Sequence, residues 1–388
     1  MKPSIKQSTT RSAGRDLKLI AVAAFFLYLG FGVYSATYNN FFAGTVGMKP
    51  EQLGVLESLR ESPGLAMALV LALAMHIAEP ILGSMALAVI ALGFLGYARY
   101  DSYVPIVLCS VLWSIGLHMW MPLQSAMTLS LAEEGKKGKR LGQIGASVGF
   151  GTTLGILTVL ILSSKIIYSK SVPYSIWYMS AAISIAIGAV FMWFVRRDLS
   201  PPDKPRLVLK RDYRLYYGLT FLEGCRKQVF ITLAPYVLVK AYGASLQTMA
   251  CLMLINNVMN LIGTPIVGRL IDRIGERKIL TVSYSGLFLV FLGYALIPHV
   301  YVLCVLYCMD SLLYLSTMGL TTYLNRISEK RDLVPSLSMG VTMNHLAAVI
   351  VPVLGGFLWK AIGYQIIFFA GSIVVLTSIS LARRVHDQ

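Results

Sequence analysis

Two short runs of charge stand inside otherwise apolar sequence. Glu57, Arg60 and Glu61 are spaced i, i+3, i+4, and Glu223, Arg226 and Lys227 repeat that spacing. On a helix this spacing puts three side chains on one face. Acids and bases so arranged can neutralise one another, hold a proton, or clamp an ionised solute. Asp310, His345 beside Asn344, and the pair Asn256 and Asn257 add polar groups in similarly apolar surroundings. Four acids (Glu57, Glu61, Glu223, Asp310) meet three bases (Arg60, Arg226, Lys227), which leaves one carboxylate in excess. An excess buried carboxylate is suited to bind a proton. Glu61 is the favoured carrier, because Ser62-Pro63-Gly64 next to it frees backbone groups; Glu57 and Asp310 compete for the role. Arg226 and Lys227 suit an anionic group on a solute. A structural salt-bridge network within or between these helices is the competing reading. For His118 and His345, hydrogen-bonded packing competes with a proton relay.

The surrounding composition says what must hold these groups. The 388 residues are 56% hydrophobic and 13% charged, with a mean hydropathy of +0.68. Soluble domains carry about 25% charged residues. This chain has too much apolar surface for one soluble core, so its solvent is a lipid bilayer. Disordered, collagen-like, nucleic-acid-binding and soluble-enzyme readings fall away. An enzyme embedded in the membrane would need clustered His, Asp and Glu or a partnered Ser nucleophile, and five scattered His do not supply it. The five cysteines lie in apolar stretches without metal-ligand spacing. No phosphate-binding G-x-x-x-x-G-K-[ST] loop is present. No metal and no cofactor is expected. The first apolar run is too long for a cleavable signal and reads as a membrane span.

Twelve segments are long enough to cross the membrane: 17–43, 50–77, 80–98, 103–132, 141–164, 173–195, 213–239, 245–270, 279–297, 300–326, 333–359 and 362–382. With the N-terminus inside, 25 of the 34 Lys and Arg fall on the inner side against six outside. Such asymmetry sets orientation. It places both termini in the cytoplasm and accounts for much of the +16 net charge without a nucleic-acid partner. At 1.5 Å per residue, Glu61, Arg226 and Asp310 lie about 15–18 Å into their spans. That is near the middle of a hydrocarbon layer about 30 Å thick.

The chain also repeats itself. Ser130–Phe150 and Asn325–His345 are both charged loops running into a helix rich in small residues, about half the chain apart. Pro63 beside Gly64 and Pro265 near Gly263 recur in spans 2 and 8. Two six-helix halves, 1–197 and 213–388, joined by a basic linker at 198–212, fit a transporter-type repeat. Between spans 8 and 9 the sequence reads Gly268-Arg269-Leu270-Ile271-Asp272-Arg273-Ile274-Gly275-Glu276-Arg277-Lys278. This resembles the G-x-x-x-D-R-x-G-x-R-K cytoplasmic loop of the major facilitator superfamily. In that light Gly268 permits close helix packing, Asp272 and Arg273 pair across a cytoplasmic gate, Gly275 permits the chain reversal, and Arg277 and Lys278 complete the motif. The first-half copy of the loop, 73–81, lacks the Asp-Arg pair and the basic cluster. Pro352-Val353-Leu354-Gly355-Gly356 on span 11 and Gly149, Gly151 and Gly155 on span 5 read as small-residue packing faces.

The resemblance implies an all-α fold of twelve membrane helices in two pseudo-symmetric six-helix bundles. It also implies that spans 3, 6, 9 and 12 face lipid while the other eight line a central cavity. The charged triplets and Asp310 fall only on the lining spans. The expected activity is secondary active transport of a small organic solute by alternating access, coupled to protons. The expected setting is the plasma (cytoplasmic) membrane, with the lipid bilayer and the solute as partners and a monomer as the unit. Efflux of multidrug or amphipathic compounds is the alternative within transport. A non-transporting membrane sensor of the same fold is a further one.

Overall fold

A backbone crossing hydrocarbon must satisfy its own N–H and C=O groups, and an apolar run of about 20 residues does so as a helix. The computed structural model describes residues 5–73, 77–133, 137–164, 172–196 and 210–385. Twelve helical spans are present, and among the described residues there is no strand. They are α1 (Ile5–Asn40, continued by a π-helical turn, Phe41–Thr45), α2 (Pro50–Leu73), α3 (Glu79–Arg99), α4 (Tyr103–Ser130), α5 (Lys137–Leu162) and α6 (Tyr174–Trp193). α7 runs as Arg214–Gln228, a π-helical stretch Val229–Leu233, and Ala234–Lys240. Then come α8 (Leu246–Ile274), α9 (Glu276–Leu296), α10 (Val300–Ile327, with a 3-10 turn at Leu315–Thr317), α11 (Lys330–Ala361) and α12 (Gln365–Ala382). Ten of these are long and apolar enough to cross a membrane. The two that are not, α2 and α7, carry the charged triplets. Residues 198–209 of the expected linker, and 74–76 of the first-half loop, lie outside the described residues.

The chain divides into two compact units. The first comprises Met1–Phe41 and Ala66–Asp203. Within it α1 packs on α5 and α6, and α3 on α4 and α6. Glycines make the α1–α5 contact close. A Cβ at Gly155 would stand 2.3 Å from the Leu29 carbonyl oxygen, and one at Gly151 2.5 Å from that of Phe25. Gly149, by contrast, faces open space. Tyr34 packs edge-on against Phe94 and Trp113 and stacks on Tyr38, and Trp113 Nε1 donates to the Tyr97 hydroxyl at 3.2 Å. Tyr34, Tyr38 and Trp113 are therefore core residues.

The second unit comprises Phe42–Leu65 and Lys204–Gln388. α7 packs on α11, and α9 on α12. An aromatic core of Phe230, Phe291, Tyr294 and Phe368 ties α7, α9 and α12 together. The first sixteen residues of α2 seat directly on α11. A Cβ at Gly54 would lie 2.2 Å from the Pro352 carbonyl oxygen, and one at Gly356 2.5 Å from that of Pro50. Ser58 donates to the Val349 carbonyl, Lys360 pairs with Glu51 at 3.0 Å, and the Tyr236 hydroxyl of α7 donates to Met48. The Pro352–Gly356 stretch is thus a packing face, and its partner is α2.

Backbone breaks have local causes. Pro63 removes the N–H that would bond the Leu59 carbonyl. The Ser62 hydroxyl takes that carbonyl instead at 2.8 Å, and α2 continues through the proline. α8 starts where the Ser245 hydroxyl accepts from the Thr248 amide, and ends at Gly275, whose φ of 84° is open to glycine at little cost. Gly268 corrects an expectation: among the described residues a Cβ there would meet nothing within 4 Å, so no close helix packing is seen at it. A methyl group forced into the α2–α11 contact costs about 1–3 kcal/mol. Gly54→Ala is therefore expected to lower the detergent melting temperature clearly, while Gly268→Ala leaves it unchanged. Equal melting of the two variants contradicts this packing.

Candidate functional site

Within the second unit, α2 presents its charged face towards α7 and α11. Glu57 is fully buried and faces Thr232 in the π-helical stretch of α7. Arg60 grips Glu57 with both terminal guanidinium nitrogens, Nη1 lying 2.7 Å from Oε1 and Nη2 against Oε2. The same guanidinium reaches Glu61 at 3.6 Å. Glu61 in turn stands 3.4 Å from Nδ1 of His345 on α11, each about one-fifth exposed. Sequence spacing foresaw the contacts inside α2. The His345 contact needs tertiary structure, because α2 and α11 are almost 300 residues apart. The chain Glu57–Arg60–Glu61–His345 holds one base between two acids and ends on an imidazole, the side chain whose charge changes most readily near neutral pH.

A second polar cluster joins α7, α9, α10 and α11. Glu223 is buried and accepts from Asn344 Nδ2 at 2.8 Å, and it also faces the Tyr314 hydroxyl. Asn344 and His345 are neighbours on α11, so this dipeptide reaches an acid of α7 with one side chain and an acid of α2 with the next. Arg226, at 1% exposure, has its guanidinium carbon over the rings of Tyr284 and Tyr314, 5.5 and 5.4 Å from their centroids. Lys227, half-buried, stands over the Tyr314 ring at 5.9 Å. Asp310 is buried on α10 within electrostatic reach of Arg226. The triplet spacing thus gives opposite results: Arg60 pairs with the acid three residues before it, whereas Arg226 does not. Asn344 and Tyr314 occupy Glu223, and the two rings hold the guanidinium. The π-helical stretch Val229–Leu233 follows directly, a distortion common beside functional sites.

Asn256 and Asn257 on α8 are half-buried. In the α8–α9 motif, Asp272, Arg273, Arg277 and Lys278 are exposed, and Gly275 makes the turn. The buried member is Glu276, which accepts from Arg326 of α10 at 3.3 Å. Sequence reasoning counted Arg326 only as a loop base, so this pair was missed. Also missed was the anchoring of α11: Asp332 holds Lys210 and accepts from the Tyr213 hydroxyl at 3.1 Å. In the first unit, His118 Nδ1 stands 3.0 Å from the Ser114 hydroxyl. Asn39 is buried there, with both amide atoms lacking a hydrogen-bond partner among the described residues.

A sequence profile described as Major Facilitator Superfamily matches residues 20–214 and 216–386. No curated protein matches the chain. Several solved structures share its fold. A nucleoside transporter, NupG, aligns with a TM-score of 0.74 at 13% identity, over 95% of this chain and 98% of that one. A bacterial homologue of the human lysosomal transporter Spinster, inward-facing and occupied, aligns at 0.75 and 11%, over 95% and 96%. A POT family transporter in complex with a thioalcohol-conjugated peptide aligns at 0.75 and 13%, over 96% and 98%. At these identities the likeness is one of fold.

Breaking one side of a buried ion pair costs about 3–5 kcal/mol, because the other charge is stranded. Arg60→Gln is expected to lower the melting temperature, and Glu57→Gln with Arg60→Gln to recover most of the loss. A double variant as unstable as the single one would show that the pair is not the relevant contact.

Proposed function

This chain belongs to the Major Facilitator Superfamily, and from that premise we propose that it is a secondary active carrier. It moves a small organic solute across the membrane by alternating access and couples that movement to protons. The observation that carries the reading is the Asn344-His345 dipeptide, which ties an acid–base chain on α2 to a second charged cluster on α7 and α10. A charge at the bilayer centre costs about 2.5–3.5 kcal/mol on insertion scales. Seven such groups on α2, α7 and α10 are a poor investment for stability alone and a good arrangement for binding ions and solute. Energy enters through the proton: Glu57, Arg60 and Glu61 sum to one negative charge, and a proton on the Glu61–His345 pair neutralises them. Neutralisation lets Arg60 serve Glu57 alone and removes the electrostatic penalty of occluding the site from water.

The remaining roles follow from this assignment. The halves 1–197 and 213–388, joined through 198–212, are the two repeats of this carrier, and the start of α2 packs with the second of them. Asp272, Arg273, Arg277 and Lys278 form the charged cytoplasmic element beside the Gly275 turn, and the Glu276–Arg326 pair fastens α9 to α10 behind it. The excess of Lys and Arg on one side orients both termini to the cytoplasm of a plasma membrane. The monomer is the working unit.

The coupling is tested in proteoliposomes that contain a pH-sensitive dye. A solute found by thermal-shift screening is added, and the lumen pH is followed. Wild type is expected to move protons with the solute, and Glu61→Gln to lose proton movement while still binding it. Uptake that ignores pH in both proteins rejects proton coupling.

A further inference from the structure

The guanidinium of Arg226 is buried at 1% exposure, yet Nε, Nη1 and Nη2 all lack a hydrogen-bond acceptor among the described residues. An ionised group left so is expensive unless something is missing from its edge. The guanidinium carbon stands 5.5 Å from the Tyr284 ring centroid and 5.4 Å from that of Tyr314, and the N–H bonds of a guanidinium all point outwards in its own plane. An oxyanion with two coplanar oxygens, a carboxylate, is the partner that this fork fits.

Acceptors are left over in the same cluster. Among the described residues, Oδ1 of Asp310 and Oδ1 of Asn344 are buried and unmatched, while Asn344 Nδ2 donates to Glu223 and to the Thr220 carbonyl. Unmatched acceptors call for a donor. The charges add a further condition. Glu223 and Asp310 balance Arg226 and Lys227, so the cluster is formally neutral. A lone carboxylate would leave it negative, and a lone ammonium positive. A solute that carries both leaves it neutral.

We infer that this cluster binds a zwitterionic solute, an amino acid or a similarly small molecule with separate carboxylate and ammonium groups. The carboxylate docks in the plane of Arg226, beside Tyr284 and Tyr314. The ammonium donates to Asp310 and Asn344. Lys227, standing over the Tyr314 ring, supplies long-range attraction for the carboxylate without forming its fork. The inference names the solute class for the carrier proposed above and so rests on that reading.

The test uses purified full-length protein and matched probes: alanine, alaninamide and lactate, then phenylalanine, phenylalaninamide and phenyllactate. Binding is read by thermal shift and by intrinsic fluorescence titration. At least one amino acid is expected to bind tenfold or more tightly than both its amide and its hydroxy acid. Arg226→Lys, which keeps the charge and loses the fork, is expected to abolish the preference over the amide. Asp310→Asn is expected to weaken the preference over the hydroxy acid. A variant that elutes as a folded monomer with its preference intact overturns the role given to that residue. Amide and acid bound equally, or no amino acid bound at all, overturns the inference. Proteoliposome flux separates the two readings. Selective binding of a zwitterion without any flux defeats the carrier and leaves the site standing. Flux of a neutral or cationic solute without zwitterion selectivity defeats the site and leaves the carrier standing.

Discussion

Hydrocarbon cannot solvate an ionised side chain, and the placement of every charged group in the membrane spans answers to that constraint. α2 meets it by self-pairing: Arg60 grips Glu57 and reaches Glu61, and His345 stands at the far end. α7 meets it differently. Its arginine is held by aromatic faces, and its acid is satisfied by an amide from α11. One cluster is nearly closed on itself, while the other keeps a guanidinium edge and two acceptor oxygens unmatched. A protein that needed only stability would have replaced both with packed hydrophobic side chains, which are often neutral or better in energy.

The scaffold explains how such groups are held still. Helices in lipid associate through close packing of small residues. α1 and α5 approach at Gly151 and Gly155, and the start of α2 approaches α11 at Gly54 and Gly356. The second contact matters more for the chemistry, because it fixes α2 on α11 a few residues from Glu57 and Glu61. Ser62 completes the arrangement by taking the carbonyl that Pro63 releases, so the charged face of α2 stays helical up to the proline.

Much of this could be read in the sequence, and the limits have physical reasons. Ten of the twelve spans have the hydropathy of a membrane helix among the described residues, since backbone satisfaction in lipid leaves few choices. The charged triplets stand out because ions in apolar runs are costly. Their pairing could not be read. Glu57/Arg60 and Glu223/Arg226 have the same spacing, and only the tertiary neighbours Asn344, Tyr284 and Tyr314 make the second pair behave differently. Gly268 reads as a packing glycine by its motif and meets no described neighbour within 4 Å, while Gly54, in no motif, is pressed against backbone. Glu276 and Arg326 show the same limit: loop charges read as topology signals, and this pair is a part-buried contact between α9 and α10.

The central claim is that the polar cluster around Asn344 opens to water and solute and is not a sealed structural lattice. Cysteine accessibility tests it most directly. In a background lacking the five native cysteines, Asn344→Cys in sealed membranes is treated with a charged thiol reagent that does not cross lipid. Leu289→Cys on α9, at 66% exposure in the structure, serves as the lipid-facing control. The account predicts that position 344 reacts while position 289 stays silent. Silence at 344 in a folded protein would contradict it.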